Sequence, residues 1–106
     1  MKHTADDIVD IRRLAGGSIA FLEKGNARAG LQHIIQRHAD DFAKKGIPEV
    51  QIPNAIFEAL TNGKVVATSG TGRNVRSIYE FIFNGQTHRI GVGIADNGFI
   101  VTAFPK

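Results

Sequence analysis

Hydrophobic residues in the first part of the chain recur at the spacing of an α-helix. Ile8, Ile11 and Leu14 are three residues apart, and Thr4 stands where a helix-capping residue is expected. A glycine pair shortly after Leu14 ends this pattern, and residues 18–23 have the length of a second, short helix. The pattern therefore predicts that the N-terminal part of the chain is helical.

The next segment has the clearest amphipathic pattern in the chain. One stripe of side chains at helical spacing is expected to face a core, namely Leu31, Ile34, Ile35, His38 and Phe42. Three polar residues fall on the opposite face, namely His33, Arg37 and Asp40. A further helix is predicted to begin at Pro53, a residue suited to a first turn, and to end at Gly63.

Beyond this helix the pattern changes to that of β-strands. Four segments are rich in β-branched and aromatic residues, namely 64–68, 77–83, 87–94 and 99–105. Asn84-Gly85 and Asn97-Gly98 separate the last three segments, and Asn-Gly is the strongest short signal for a β-hairpin. Helices followed by an antiparallel meander predict an α+β fold.

We therefore expect one α+β domain, in which N-terminal helices pack on a four-stranded antiparallel β-meander. Residues 1–29 would form an N-terminal helical part, residues 30–62 the core helices, and residues 63–106 the antiparallel sheet. A chain of 106 residues is long enough for a single modest hydrophobic core.

Two-residue turns at both Asn-Gly pairs would fix which residues face each other across the sheet. Glu80 then lies opposite Arg89, and Thr102 lies opposite Gly93. The face expected to pack on the helices carries Tyr79, Phe81, Ile90, Val92, Ile94, Phe99 and Val101. The other face, which we call the open face, is expected to include Ile78, Glu80, Arg89, Gly91, Gly93, Ile100, Thr102 and Phe104. Its two mid-strand glycines indicate either a shallow floor that admits a phosphodiester or a strongly bent sheet edge.

Composition limits the chemistry that the chain can perform. It has no cysteine, so disulfides, thiolate metal sites and thiol nucleophiles are excluded. The run HIIQRHADD lacks the histidine spacing of a zinc-binding helix, and we expect neither a metal nor another cofactor. No apolar run reaches the length of a membrane span, and the N-terminal segment lacks the apolar core of a signal peptide.

Positive charge is modest, and a glycine-rich loop carries two of the basic side chains. The formal net charge of +3 is compatible with a polyanionic partner, and it is equally common in proteins that have none. In the glycine-rich run TSGTGRNVR, Arg73 and Arg76 supply charge beside flexible backbone amides. This segment is either an RNA contact or an ordinary hairpin loop, and Lys64 is a weaker candidate for RNA binding.

The run GLQHIIQRHADDF places two histidines and an arginine on one short helix. Histidine titrates near neutral pH and can act as a general acid or base, and arginine offers a rigid fork of donors to a phosphate. His33 and Arg37 are neighbours on the helix surface, which favours a joint site. His38 falls in the apolar stripe, so it is either a core histidine or a second catalytic group.

Three stretches together resemble a known group of proteins. GLQHIIQRHADDF, IYEFIFNGQTHRI and DNGFIVTAFP look like segments of the barnase/EndoU/colicin/RelE (BECR) superfamily, specifically the C-terminal toxin domains of bacterial polymorphic and contact-dependent inhibition proteins. The resemblance covers about residues 30–106. It implies a ribonuclease that needs no metal, in which the ribose 2′-OH attacks its own phosphate and leaves a 2′,3′-cyclic phosphate and a 5′-OH end.

The resemblance also implies a biological setting. The domain would be delivered from a secreted bacterial protein and act in the cytoplasm of a target cell, most often on transfer RNA. A cognate immunity protein would neutralise it. We expect the domain itself to be a monomer.

By position, the resemblance points to His33, Arg37, His38 and Thr102 as catalytic residues, while Glu80 and Arg89 join them from the sheet register. His33 would be an acid or base, Arg37 or Arg89 would stabilise the phosphate, and Thr102 would hydrogen-bond to it. Glu80 would orient Arg89 or serve as an alternative base, unless the two form an ordinary cross-strand ion pair.

Two functions of other classes remain open at this point. One is a non-catalytic RNA-binding domain that uses the basic loop and the sheet. The other is a phage-associated or structural module whose helical face binds a protein partner.

Overall fold

A computed structural model describes residues 8–14, 16–70 and 75–106. In chain order its elements are β1 (Ile8–Arg13), β2 (Ile19–Glu23), α1 (Leu31–Lys44), a short 3-10 turn (Glu49–Gln51), α2 (Ile52–Asn62), β3 (Lys64–Ser69), β4 (Arg76–Phe83), β5 (Gln86–Ile94) and β6 (Ile100–Pro105). Strands β3 to β6 form a four-stranded antiparallel sheet in sequential order. The predicted α+β class and meander are thereby confirmed.

The prediction of helices over residues 8–14 and 18–23 is wrong. These segments are β1 and β2, which pair as an antiparallel hairpin closed by a hydrogen bond from the Leu14 N–H to the Ser18 carbonyl. The spacing of Ile8 and Ile11 fits a helix, but β-branched residues favour strands, and isolated helices of this length are marginal in water. The predicted cap at Thr4 lies outside the described residues.

The core lies between the two helices, β2 and the inner face of the sheet. Helix α1 packs along the edge strand β6, and α2 packs against β4. The largest side chains that are fully buried are Phe42, Phe57, Leu22, Ile34, Ile47, Ile52, Ile56, Ile90 and Ile100. No helix within the described ranges is both long enough and apolar enough to cross a membrane.

The first Asn-Gly turn sets the register as predicted. Asn84 and Gly85 have φ angles of 53° and 77°, the left-handed conformation of a tight hairpin turn. Phe83 therefore pairs with Gln86, and Glu80 pairs with Arg89. The predicted pairings on both sides of this turn are confirmed.

The second hairpin departs from the predicted register near its turn. Its loop is a turn over Ala95–Gly98, closed by hydrogen bonds from the Ala95 N–H to the Phe99 carbonyl and from the Gly98 N–H to the Ala95 carbonyl. A bulge between Gly93 and Ile94 then pairs Ile94 with Ile100. The prediction of a two-residue turn at Asn97-Gly98 is therefore wrong, and Ile100 is fully buried in the core instead of lying on the open face.

Candidate active site

Helix α1 begins at a fixed point beside β6. Gly30 precedes it with a φ of 88°, and its N–H donates a hydrogen bond of 3.0 Å to the carbonyl of Val101. A Cβ at Gly30 would lie 2.8 Å from the Cα of Gly25, so only glycine fits this close approach. This hydrogen bond places the first turn of α1, which includes His33, next to Thr102.

His33 is held by hydrogen bonds at both ring nitrogens. Its Nδ1 lies 3.1 Å from the carbonyl oxygen of Ala27, which accepts only, so Nδ1 carries the proton of the neutral ring. Its Nε2 lies 3.0 Å from the Oγ1 of Thr102. In the neutral ring Nε2 accepts from the Thr102 hydroxyl, and in the charged ring it donates to it. The hydrogen bond between His33 and Thr102 can therefore form in either protonation state of the His33 ring.

His38 lies beside His33 and is not a core residue. The two ring centroids are 6.3 Å apart with nearly perpendicular planes, although the residues are far apart around the helix axis. The Nδ1 of His38 lies 3.3 Å from the Oδ2 of Asp41, and 26% of its side chain is exposed. The centroid of the Phe104 ring is 5.9 Å from the centroid of the His38 ring. The two histidines thus form one cluster at the edge of the sheet.

The open face continues this cluster across the sheet. Gly93 pairs with Thr102, and the register of β4 places Arg76 on the other side of Gly93. We call Arg76, Gly93 and Thr102 the first row. The next rows along the strands are Ile78–Gly91–Phe104 and Glu80–Arg89–Lys106.

The two mid-strand glycines are covered by side chains of the chain itself. A Cβ at Gly93 would lie 2.5 Å from the Nε of Arg76, and a Cβ at Gly91 would lie 2.4 Å from the ring of Phe104. Glycine at these positions leaves room for the guanidinium and the ring to lie close to the sheet. The guanidinium of Arg76 consequently lies over Gly93, the strand neighbour of Thr102.

The ion pair predicted from the register is present, but it lies away from the histidines. The Nη2 and Nε of Arg89 each lie 2.9 Å from the Oε2 of Glu80. This pair is in the third row, four residues along each strand from the first, which corresponds to about 13 Å. The structure therefore brings His33, His38 and Thr102 together, places Arg76 across Gly93 from Thr102, and places Glu80 and Arg89 elsewhere on the same face.

The remaining predicted residues are Arg37, Lys64 and Arg73. Arg37 is exposed on α1, one turn after His33. Lys64 pairs with Glu80 across β3 and β4 and extends the third row. Arg73 lies outside the described residues.

Arg76 is the residue whose position the sequence analysis missed. The glycine-rich pattern assigns it to the basic loop, whereas it is the first residue of β4 and half-buried. Gly93 is the sequence feature that could have indicated this position, because a glycine within a strand leaves room for a large side chain from a neighbouring strand. Thr102 is only 7% exposed, which suits a residue that positions His33 better than one that attacks a substrate.

No group of three or more metal-ligating side chains occurs in the part of the chain that the structure describes. Comparison with models of known protein families gives no match, and a search of curated proteins finds none either.

Proposed function

We propose that the protein is a ribonuclease that cleaves RNA without a metal ion, by attack of the ribose 2′-OH on the neighbouring phosphate. The observation that carries the proposal is the hydrogen bond between His33 and Thr102, together with the guanidinium of Arg76 in the same row as Thr102. The pair supplies a proton acceptor of fixed tautomer, and Arg76 supplies the cation that the crowded phosphoryl group requires.

The two histidines suit the two proton transfers of this reaction. In the neutral ring the Nε2 of His33 accepts from the Thr102 hydroxyl. As the 2′ oxygen attacks phosphorus, its proton passes to the Thr102 oxygen, and the proton of the Thr102 hydroxyl passes to Nε2. The bond from phosphorus to the 5′ oxygen breaks, and His38 donates a proton to that oxygen. Asp41 pairs with His38 in the charged state that holds this proton. Arg76 neutralises the non-bridging oxygens throughout.

The biological setting of this proposal rests on the family resemblance. A BECR toxin domain would be delivered from a secreted bacterial protein, cleave transfer RNA in a target-cell cytoplasm, and be neutralised by an immunity protein. Purified protein incubated with total transfer RNA tests the substrate. Growth arrest on expression, relieved by co-expression of a neighbouring gene, tests the setting.

Substitutions at Thr102 test the site most sharply. Thr102→Val removes the hydroxyl at nearly constant volume, and Thr102→Ser keeps it. We expect Thr102→Val and His33→Ala to lower kcat by at least about tenfold, since general acid–base groups contribute about 100-fold or more. Thr102→Ser should stay within about threefold of the wild type. Equal activity of the Val and Ser variants would show that the hydroxyl does not act through His33.

A non-catalytic RNA-binding domain is the second candidate. It is supported by the basic side chains that share the open face, Arg76 and Arg89, with Lys106 at its end. Such a domain would bind RNA in a salt-dependent manner and leave every strand intact. Its binding would also be unaffected by Thr102→Val, because that variant keeps all the charges.

A further inference from the structure

A groove at the end of the sheet lies apart from the histidine cluster. Strand β6 stops opposite Ile90, so β5 continues beyond it as an open edge. The groove beside this edge has a volume of about 340 Å³. Side chains from three parts of the chain line it, among them Lys45, Glu80, His88, Arg89 and Lys106. Its size is at the low end of natural ligand pockets.

The charge of this groove favours an anion. The groove is lined by the basic side chains of Lys45, Arg89 and Lys106 and by one acidic side chain, that of Glu80. That carboxylate is already engaged by the guanidinium of Arg89, whose side chain remains 57% exposed. A concave site lined by an excess of one charge concentrates ligands of the opposite charge.

His88 is a buried residue of the groove with a ring nitrogen that the described residues leave unsatisfied. Its side chain is 7% exposed, lies against the rings of Phe81 and Phe83, and lines the groove. Its buried Nε2 has no hydrogen-bond partner among the described residues. A buried polar nitrogen normally has a partner, and an oxygen of a bound ligand or a water would supply one.

A neighbouring groove of about 400 Å³ runs along β3 beside Ile78 of the second row and shares Arg89 and Lys106 with the first groove. Arg89 and Lys106 are also in the third row of the open face, whose first row contains Thr102. The open face is therefore the path from the histidines to the groove. The path is too long for a single phosphate, because the first and third rows are about 13 Å apart.

We propose that the groove lined by Lys45, His88, Arg89 and Lys106 is a subsite for a backbone phosphate of the RNA substrate beyond the one that is cleaved. This inference rests on the proposed ribonuclease function for its ligand, but it predicts a property that cleavage alone does not require. Strands long enough to reach the groove should bind more tightly than a dinucleotide that spans only the histidine cluster.

Adjacent lysines at the end of α1 provide a matched pair of variants. Lys45 lines the groove, whereas Lys44 is exposed one residue earlier and does not. Lys45→Gln and Lys44→Gln therefore remove the same charge from the same region of the surface. The probes are 2′-O-methyl oligoribonucleotides of two and six nucleotides, which cannot be cleaved by 2′-OH attack, and the readout is fluorescence anisotropy over a range of salt concentrations.

We expect Lys45→Gln to lower the slope of log affinity against log salt by about 0.7 for the hexanucleotide, the value for one lost phosphate contact on a single strand. That slope corresponds to about a fivefold loss of affinity at 0.1 M salt relative to 1 M. Lys44→Gln should change neither quantity, and the dinucleotide should bind all three proteins equally. In NMR spectra, the ring signals of His88 should shift with the hexanucleotide and not with the dinucleotide.

Equal effects of the two lysine variants, or an equal loss for both probes, would overturn the subsite. These outcomes are distinct from a failure of the proposed function, since the probes report binding alone. A protein that cleaves RNA but shows no difference between the two variants keeps its function and loses the subsite. A protein that fails to cleave RNA but shows the length-dependent loss keeps the subsite as an RNA contact.

Discussion

Gly93→Ala is the substitution that best separates the architecture of the site from its chemistry. The new Cβ would lie 2.5 Å from the Nε and 2.6 Å from the Cδ of Arg76, whereas ordinary contacts begin near 3.4 Å. The guanidinium must therefore move by roughly an ångström. Because the clash involves the outer part of a flexible side chain, the strands themselves have no reason to shift.

The expected effect on stability is small. The φ of Gly93 is not positive, so alanine fits its backbone without strain. Glycine within a strand is itself less favourable than alanine by about 0.5–1 kcal/mol, which offsets the displaced packing of Arg76. We expect the free energy of unfolding to change by less than about 1 kcal/mol, measured by urea denaturation.

The expected effect on activity is large, because a misplacement of about 1 Å in a catalytic site can lower the rate by about 100-fold. Arg76→Gln, which removes the cation, should lower kcat/KM by about 100- to 1,000-fold on a fluorogenic oligoribonucleotide. In the double variant, Gly93→Ala should add almost nothing to Arg76→Gln, since both act on one group.

Gly16→Ala is the matched control for this series, because a Cβ there meets no atom within 4 Å. It should leave both activity and stability unchanged. Wild-type activity of Gly93→Ala, or fully additive losses in the double variant, would refute the role that we assign to the first row.

Three further predictions concern other parts of the molecule. Burial raises the pKa of Tyr79 above its ordinary value of 10.0, although a hydrogen bond with Ser77 opposes the shift. As the pH rises, the Tyr79 hydroxyl therefore ionises in the unfolded chain before it ionises in the folded one. In urea titrations above about pH 10, the wild type should lose stability relative to Tyr79→Phe. Parallel stability curves for the two proteins would contradict this assignment. Glu80→Gln should lower the free energy of unfolding by less than about 1 kcal/mol, since its partner Arg89 is 57% exposed. It should also tighten RNA binding, because it removes a negative charge. A large loss of kcat would instead indicate that Glu80 is the general base. Phe42→Ala should cost about 3–5 kcal/mol in urea denaturation, because Phe42 is fully buried, and a cost below about 1 kcal/mol would place it outside the core.

The sequence predicted the sheet wherever a local turn determined the geometry. Asn84-Gly85 fixes the pairing of β4 and β5, and the opposition of Glu80 and Arg89 follows from counting outward. The bulge near Ile94 was not predictable in this way, because the longer turn before it depends on hydrogen bonds that no residue pattern specifies.

Local sequence patterns could not predict the contacts between segments that are distant in the chain. The hydrogen bond between His33 and Thr102 joins residues on α1 and β6, and it depends on the hydrogen bond between Gly30 and Val101 of β6. The N-terminal hairpin was mistaken for helices because its three apolar residues have helical spacing and the pairing of its strands is not visible in the sequence. Arg76 was assigned to a loop because the significance of Gly93 depends on which strands flank it.

The most direct test of the central claim is the chemistry of the RNA ends that the protein leaves. Purified protein is incubated with total transfer RNA in the presence of EDTA, and the termini are identified by end-specific ligation and sequencing. The proposed mechanism predicts cleavage that leaves 2′,3′-cyclic phosphate and 5′-OH ends, and His33→Ala should lower it by at least about tenfold. Intact RNA, or products with 5′-phosphate ends that vanish when EDTA is added, would contradict it.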